Sequence, residues 1–321
     1  MKVLVTGAGG MVGSHMVEIL NNEGEDVLGT YYKPTTDLKE ISTSIHMQEM
    51  DVRYYQGVLR VISSFKPDCI YHLAAQSYPT VSWIHPQATM ETNINGTINV
   101  FEAIKSVRKS DSFYDPMVVV ACSSAEYGQT LEELPENNPY VLETAELRPL
   151  HPYGVSKVGQ DLLSFQYFAN DHIRCVRARI FNSTGTRKVN DVTSEFTYRA
   201  VMAEKTGIYE IRVGNLHSQR AIMDQCDLIR GLRLLAEKGK PGDVYNLSSE
   251  NIYAIKDIIK MIENQIGHEL HITVDTQLLR PTDEKIIVGN VKKLKDDTGW
   301  KQEISMEQTV KDMIEYWRHK L

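Results

Sequence analysis

The stretch Val3-Leu4-Val5-Thr6-Gly7-Ala8-Gly9-Gly10-Met11-Val12-Gly13 decides the fold of this chain. An apolar run leads into the glycines, and helical spacing resumes from Met11 to Leu20, which predicts a strand, a tight turn and a helix. Gly7, Gly10 and Gly13 follow the spacing G-x-x-G-x-x-G. Glycines there permit the turn, let the backbone approach a pyrophosphate and allow close packing of helix on strand. The alternative is a glycine-rich turn that binds no ligand.

The second predicted strand, Asp26 to Thr30, bears on the choice of dinucleotide. An acidic residue at the end of this strand would bind the hydroxyls of an adenosine ribose. The chain instead has Thr30-Tyr31-Tyr32-Lys33, which offers a hydroxyl and a cation and suits a 2′-phosphate better. The sequence therefore favours NADP(H), with NAD(H) as the alternative if Lys33 is only a solvated loop residue.

Length and composition indicate a soluble globular protein. The chain has 321 residues, of which 42% are hydrophobic, and this suits one large domain or two lobes. Its first residues fit a core strand rather than a signal peptide, and no apolar run is long enough to span a membrane, so we expect a cytoplasmic protein. The net charge of −7 argues against a nucleic-acid partner.

Four widely spaced cysteines show no spacing typical of a metal site or a disulfide framework. We expect buried thiols and no metal. The cysteines are Cys69, Cys122, Cys175 and Cys226.

Strand-like and helical patterns alternate through the first part of the chain, as in a parallel sheet with helices on both faces. The predicted fold class is α/β, a Rossmann-type doubly wound parallel sheet followed by a smaller C-terminal α/β lobe. We predict a dinucleotide-binding domain over residues 1–181 and a substrate lobe over 182–321, with the chain crossing between them. The predicted strands are Lys2 to Thr6, Asp26 to Thr30, Cys69 to Leu73, Met117 to Cys122 and Cys175 to Phe181. The predicted C-terminal helices are Ser194 to Lys205, Cys226 to Glu237, Ala254 to Ile266 and Ser305 to Arg318.

Polar or small residues follow several predicted strands at the edge of the sheet where ligands bind in such folds. They are Asp51-Val52, His72-Leu73-Ala74-Ala75 and Ser123-Ser124. Downstream, Tyr153-Gly154-Val155-Ser156-Lys157 places a tyrosine and a lysine at i and i+4 on one helix face. An ammonium near a phenol favours the phenolate, so Tyr153 is a candidate acid/base for hydride chemistry. An ordinary amphipathic helix is the alternative for that pair alone.

Together these motifs resemble the extended short-chain dehydrogenase/reductase family over essentially the whole chain. They comprise the glycine loop, His72-Leu73-Ala74-Ala75, Asn93-x-x-Gly96-Thr97, Ser123, Tyr153-x-x-x-Lys157 and Phe181-Asn182. Within that family, Val213-Gly214-Asn215-Leu216, Arg220 and Arg280-Pro281 resemble enzymes of nucleotide-linked sugars, especially GDP-mannose 4,6-dehydratases and GDP-4-keto-6-deoxymannose reductases.

The resemblance implies chemistry at C4 of the sugar of a nucleotide sugar, GDP-linked by the same resemblance. Tyr153 would exchange a proton with the O4 oxygen while hydride moves between C4 and the nicotinamide, and Ser123 would hydrogen-bond that oxygen. Lys157 would hold the nicotinamide ribose and lower the pKa of Tyr153, and Asn93 would support the active-site helix. The implied cofactor residues are Gly7, Gly10, Met11, Val12, Gly13, Thr30, Lys33, Asp51, Val52, Leu73, Ala74, Ala75, Asn93, Tyr153 and Lys157.

The resemblance also implies a set of substrate contacts. Asn182 would contact the sugar-nucleotide diphosphate, Arg220 would pair with it, and Arg280 would lie near the nucleotide ribose or phosphate. The family usually has an acidic and an aromatic residue after the first arginine, whereas this chain continues Ala221-Ile222-Met223-Asp224. The full implied set is Ser77, Ser124, Asn182, Val192, Asn215, Arg220 and Arg280.

Glu126 separates simple C4 redox from a following dehydration. Similar dehydratases place a glutamate two residues after the active-site hydroxyl, a position that is Ala125 in this chain. A shift of one residue at a strand end turns a side chain toward the other face, so Glu126 is expected to point away from the sugar. The preferred prediction is a 4-keto reductase or 4-dehydrogenase. A 4,6-dehydratase that uses Glu126, a 4-epimerase and a non-catalytic dinucleotide sensor are the alternatives.

The resemblance further implies a homodimer. In this family the helices near Asn93 to Lys105 and Tyr153 to Phe168 commonly form a four-helix interface with a second copy. The apolar side chains of Leu162, Leu163 and Phe165 would serve that interface or, alternatively, the core of a monomer.

Overall fold

Seven parallel strands form the central sheet of the computed structural model, which describes residues 1–275 and 285–321. In spatial order they are β11 (Val244–Leu247), β6 (Cys175–Ile180), β5 (Met117–Ser123), β4 (Cys69–His72), β1 (Lys2–Thr6), β2 (Asp26–Tyr31) and β3 (His46–Glu49). The strand order reverses between β1 and β4. In open α/β sheets such a reversal opens a crevice at the carboxyl ends of the strands, which is where ligands bind.

Helices cover both faces of this sheet. One face carries α1 (Met11–Asn22), α8 (Gln225–Lys238) and α10 (Lys292–Thr298), and the other α2 (Tyr55–Phe65), α5 (Gly96–Ser110) and α6 (Pro152–Asp171). Side chains of β1 alternate between the two cores, with Val3 and Val5 in one and Leu4 in the other. The predicted doubly wound fold is confirmed.

The smaller lobe has its own apolar core. It is built from α7 (Val192–Thr206), α9 (Ile255–Ile266), α11 (Met306–Lys320) and the parallel pair β8 (Glu210–Val213) and β13 (His271–Val274). Short strands complete it: β7 (Ser183–Thr184), β9 (Gln219–Arg220), β10 (Met223–Asp224), β12 (Tyr253–Ala254) and β14 (Ile286–Ile287). The division of the chain between residues 181 and 182 stays a proposal. Under it, β11 belongs to the second segment of the chain but lies in the central sheet.

The beginning of α6 positions the predicted Tyr153. Pro152 occupies the first turn of the helix, where its missing N–H leaves no hydrogen bond unmade. The N-cap residue His151 accepts the N–H of Gly154 through Nδ1 at 3.0 Å. The short helices α3 (Pro79–Ile84) and α4 (Pro86–Met90) pack against α6.

Three of the four cysteines expected to be buried thiols are buried. Cys69, Cys122 and Cys175 are buried free thiols, whereas Cys226 is only partly buried. None of the helices within the described ranges combines the length and the apolar character that crossing a membrane requires.

Candidate active site

The glycine loop between β1 and α1 has a geometry that fits a dinucleotide pyrophosphate. Gly7 has a φ of +76°, and a Cβ at this position would lie 2.7 Å from the backbone nitrogen of Ala74. A Cβ at Gly13 would lie 2.3 Å from the carbonyl oxygen of Gly7, so α1 packs closely on the turn. At Gly10, by contrast, the nearest atom would be 3.5 Å away, and no side chain caps the helix there. The first turn of α1 is thus open to an anion.

Two cations flank the end of β2, where an adenosine would lie. Lys33 Nζ is 5.4 Å and the Arg53 guanidinium carbon 5.5 Å from the centroid of the Tyr32 ring. Thr30 is buried, and its hydroxyl has no hydrogen-bond partner among the described residues. Asp51 forms a 2.6 Å ion pair with Arg53. Burial would raise the pKa of Asp51, but the hydrogen bonds from Arg53 outweigh it and lower that pKa. Arg53 was not predicted, although it follows Asp51 by two residues.

His72 at the end of β4 is a structural residue. It is fully buried, with Nδ1 2.9 Å from the Thr6 hydroxyl and Nε2 3.1 Å from the Thr97 hydroxyl. Burial lowers the pKa of His72 to about 3, so the ring is neutral at physiological pH. The Thr6 hydroxyl also accepts the N–H of Ala74 at 3.2 Å. This network fixes the predicted loop Leu73-Ala74-Ala75, which is half-buried beside the glycine loop.

Asn93 braces the beginning of α6. Its side chain donates to the Ser156 hydroxyl at 2.8 Å and to the Gln76 carbonyl at 3.0 Å, and it accepts the Gln76 N–H at 2.8 Å. Ser156 in turn donates to the carbonyl of Tyr153 at 2.7 Å. Asn93 has no exposed surface, and its direct contact with a cofactor stays a prediction. The predicted support of the active-site helix agrees with these contacts.

Ser123 and Tyr153 meet at the crevice. Ser123 is the last residue of β5, Tyr153 lies in the first turn of α6, and the two side chains are 7% and 8% exposed. Burial raises the pKa of Tyr153 to about 12, although a hydrogen-bonding interaction with Ser123 acts in the opposite direction. The phenol is therefore protonated near neutral pH and can donate a proton to an acceptor in the crevice.

Lys157 lies on the same side of α6 as Tyr153 but is engaged with other groups. Its Nζ is 5.8 Å from the centroid of the Tyr153 ring and donates to the Ala121 carbonyl and the Gln160 side-chain oxygen, each at 2.7 Å. Burial lowers the pKa of Lys157 to about 8. The lowering of the Tyr153 pKa by Lys157 stays a prediction, since burial of the phenol sets the direction of the shift here.

Glu126 lies behind Ser123 and away from the crevice. A 3-10 turn, Ser124–Glu126, follows β5 and brings the Glu126 carboxylate back onto the Ser123 N–H at 2.8 Å. The side chain has no exposed surface. Burial and the neighbouring Asp161 carboxylate raise the pKa of Glu126 well above its ordinary value. This contact with the backbone agrees with the expectation that Glu126 points away from the sugar.

The predicted substrate residues belong to two sets. Ser77, Ser124 and Asn182 follow β4, β5 and β6 in the chain, so they lie beyond the carboxyl ends of three neighbouring strands. Ser77 and Asn182 are exposed, whereas Ser124 is half-buried.

The second set belongs to the smaller lobe. Val192 is the first residue of α7, Asn215 is exposed after β8, and Arg220 is partly buried on β9. The N–H of Met223 donates to the Asn182 carbonyl at 2.9 Å, which ties the segment after Arg220 to the end of β6. Arg280 lies outside the described residues.

A buried ionic cluster that was not predicted from the sequence lies beneath Ser123 and Lys157. Arg177 and Arg179 of β6 both bind Asp161 of α6, at 2.5 and 2.9 Å, and Arg179 Nε lies 3.1 Å from Glu126. β6 is therefore less apolar than a strand covered on both faces usually is. Cys122, Glu126 and Asp161 approach one another closely enough to hold a metal, but the Arg179 guanidinium lies against both carboxylates. The alternating arginines of β6 and Asp161 on α6 were the available signal.

The sheet, the glycine loop and the Ser123, Tyr153 and Lys157 side chains define a Rossmann-type protein of the extended short-chain dehydrogenase/reductase class. Comparison with known proteins narrows this class. The chain belongs to the GDP-mannose 4,6 dehydratase family, whose model matches residues 4–313.

Two relatives of this chain are named for different activities. The chain is 28% identical to GDP-6-deoxy-D-mannose reductase of Pseudomonas aeruginosa, over 79% of this chain and 82% of that protein. It is 26% identical to GDP-mannose 4,6 dehydratase 1 of Arabidopsis thaliana, over 97% of this chain and 88% of that protein.

Solved structures confirm the fold. The structure of RMD from Pseudomonas aeruginosa complexed with NADPH superposes with a TM-score of 0.83 at 23% identity, covering 100% of this chain and 99% of that chain. UDP-glucose 4-epimerase of Thermotoga maritima with UDP-glucose superposes with a TM-score of 0.87, also at 23% identity and with the same coverage. At this identity the likeness concerns the fold alone.

Proposed function

We propose that the protein is a nicotinamide-dependent enzyme that reduces or oxidises C4 of the sugar in a nucleotide sugar, as a 4-keto reductase or 4-dehydrogenase. The observation that carries this proposal is the position of Glu126. A 4,6-dehydratase needs a carboxylate in the crevice to remove the C5 proton. Glu126 instead has no exposed surface and binds the backbone N–H of Ser123. The similarity to a GDP-6-deoxy-D-mannose reductase supports a GDP-linked substrate.

The side chains at the crevice supply the proton part of this reaction. A bound nicotinamide would deliver or accept the hydride at C4. In the reductive direction the Tyr153 phenol donates its proton to the carbonyl oxygen, and the Ser123 hydroxyl hydrogen-bonds the same oxygen as it gains negative charge. One hydride and one proton together convert the ketone to an alcohol. The positive charge of the Lys157 ammonium stabilises the phenolate that remains after this transfer.

The activity test offers two substrates in parallel. One reaction contains a GDP-4-keto-6-deoxyhexose and reduced cofactor, and the other contains GDP-mannose alone. We expect the first product to gain two hydrogen atoms, matched mole for mole by oxidation of the nicotinamide. We expect GDP-mannose to remain unchanged by mass spectrometry. Loss of one water from GDP-mannose without net cofactor turnover would contradict the proposal and indicate a dehydratase.

We propose NADP(H) as the cofactor, because β2 ends in Thr30-Tyr31-Tyr32-Lys33 without an acidic residue, and Lys33 lies beside the Tyr32 ring together with Arg53. Arg53 is paired with Asp51, so Lys33 is the cation offered for a 2′-phosphate. Replacing Lys33 by Ala is expected to raise KM for NADPH about tenfold, since a charge-assisted phosphate contact contributes roughly 1.5 kcal/mol. KM for NADH should stay nearly constant, because it lacks the 2′-phosphate. Steady-state kinetics with both cofactors checks this, with Lys39→Ala as the control. Equal effects on both cofactors would show that Lys33 does not contact the phosphate.

We propose a homodimer formed through α6. Val155, Leu162 and Phe165 lie on one side of this helix and are 46%, 54% and 45% exposed. Leu162→Glu is expected to shift the sedimentation coefficient from dimer to monomer at micromolar concentration, because a charge there would be buried against its own copy. Ile208→Glu, in the smaller lobe, should leave the dimer intact. A wild-type protein that sediments as a monomer would refute the proposal.

A further inference from the structure

The end of β5 extends beyond its neighbour β4. The strands pair only as far as His72 opposite Val120, whereas β6 continues beside β5 as far as Ser123. Met117 donates its N–H toward β4 and Val118 toward β6, so the odd-numbered residues of β5 face the β4 side. The Ala121 carbonyl and the Ser123 N–H therefore lie on this side of β5 beyond the end of β4.

Two side chains take the place of the missing strand. Lys157 donates to the carbonyl of Ala121 at 2.7 Å, and Glu126 accepts the N–H of Ser123 at 2.8 Å. Buried backbone groups need such partners, because an unmade hydrogen bond there costs about 1–3 kcal/mol. Lys157, which already has a role in the proposed reaction, and Glu126, which has none, thus complete the free edge of β5.

The same contact fixes the Ser123 hydroxyl. Ser123 and Glu126 form a reciprocal capping box in which the Ser123 Oγ accepts the N–H of Ala125 at 3.2 Å. A serine hydroxyl has one proton and two acceptor sites, so this bond leaves the proton free. The Oγ also interacts with Tyr153. The turn therefore fixes the Oγ atom and leaves its proton available to a partner at the crevice.

Within the described residues the second carboxylate oxygen of Glu126 accepts no hydrogen bond, and Arg179 holds it by charge. That oxygen lies 3.1 Å from Arg179 Nε, and the Arg179 guanidinium also donates to the Tyr127 hydroxyl at 3.0 Å and the Glu143 carbonyl at 2.9 Å. The Asp161 carboxylate accepts the N–H of Arg179 Nε at 2.9 Å. These contacts leave Glu126 little freedom to turn toward the crevice.

We propose that Glu126 is a positioning residue, which completes the free edge of β5 and holds the Ser123 hydroxyl in the orientation required for proton transfer at O4. This inference rests on the proposed function of Ser123 and Tyr153. It distinguishes Glu126 from a base that removes the C5 proton, because a positioning residue acts through Ser123 and needs only a hydrogen-bond acceptor.

The kinetic test is a double-mutant cycle between Glu126 and Ser123. Glu126→Gln keeps an acceptor for the Ser123 N–H and is expected to retain kcat within about threefold. Glu126→Ala should lower kcat about ten- to hundredfold with little change in KM, because a displaced catalytic group slows chemistry more than binding. Combined with Ser123→Ala, Glu126→Ala should cause no further loss. Additive losses, or a folded Glu126→Gln protein as inactive as Glu126→Ala, would overturn the inference.

A second readout does not depend on any substrate. In hydrogen exchange followed by mass spectrometry, peptides covering the end of β5 should be protected in the wild type and in Glu126→Gln. They should exchange faster in Glu126→Ala, while the other central strands stay protected. Glu132→Ala, an exposed residue of the same loop, is the control. Unchanged protection in Glu126→Ala would refute the contact, whereas absence of keto reduction by the wild type would refute only the proposed function.

Discussion

Tyr153→Phe is expected to lower the rate of C4 hydride transfer about a thousandfold, the largest effect of any single substitution proposed for the site. The phenylalanine keeps the ring but has no proton to donate. With the pKa of Tyr153 at about 12, the wild-type phenol is present in its donating form at neutral pH. Stopped-flow measurement of nicotinamide oxidation under single-turnover conditions follows the chemical step directly.

Cofactor affinity provides the control for this variant. Calorimetric titration with NADPH should give Tyr153→Phe a Kd within about threefold of the wild type, because the glycine loop and the end of β2 are unchanged. Ser123→Ala should be slower than the wild type but faster than Tyr153→Phe, since Ser123 hydrogen-bonds the reacting oxygen but transfers no proton. A Tyr153→Phe protein with more than a tenth of the wild-type rate would show that the proton comes from another group.

Asp161→Asn is expected to destabilise the protein by roughly 3–5 kcal/mol, because it leaves the guanidinium groups of Arg177 and Arg179 without a full counter-charge in the core. Asp161 has no exposed surface, and Arg177 and Arg179 are 8% and 4% exposed. The free energy of unfolding from urea titration, followed by circular dichroism, measures this loss.

Asp171→Asn on the same helix is the matched control. Asp171 pairs with Lys105 at 2.9 Å, but both side chains are partly solvated, at 23% and 34% exposure. Its loss should cost no more than about 1 kcal/mol. Equal effects of the two substitutions would mean that the Arg177 and Arg179 guanidinium groups find other partners or water when Asp161 is neutralised.

The contrast between β1 and β6 shows which parts of the fold were predictable. Val3 to Val5 read as a buried strand from three consecutive apolar residues, and both ends of β1 were predicted correctly. In β6, Arg177 and Arg179 sit in the core only because α6 brings Asp161 against them. Propensity and periodicity describe one segment at a time, so they cannot reveal a counter-charge carried by another element.

The same limit applies to the site. The spacing of Tyr153 and Lys157 correctly placed them on one helix face. The directions of their pKa shifts are set by burial, which the spacing does not indicate. The pKa of Tyr153 depends on burial by the strand end and the turn after it, and Lys157 is drawn to the free carbonyl of Ala121. Neither effect is local in sequence.

The sequence by itself determined the doubly wound sheet, the glycine turn and the identity of the Ser123, Tyr153 and Lys157 set. The sheet and the turn follow from helical and strand periods and from the conformational freedom of glycine, which are properties of short segments. The resemblance to the short-chain dehydrogenase/reductase family singled out the three site residues. Only the tertiary structure decided the position of Glu126. Because β4 ends before β5, the Ser123 N–H has no partner on a neighbouring strand. The Glu126 carboxylate accepts this N–H behind the crevice, with the buried Arg179 beside it.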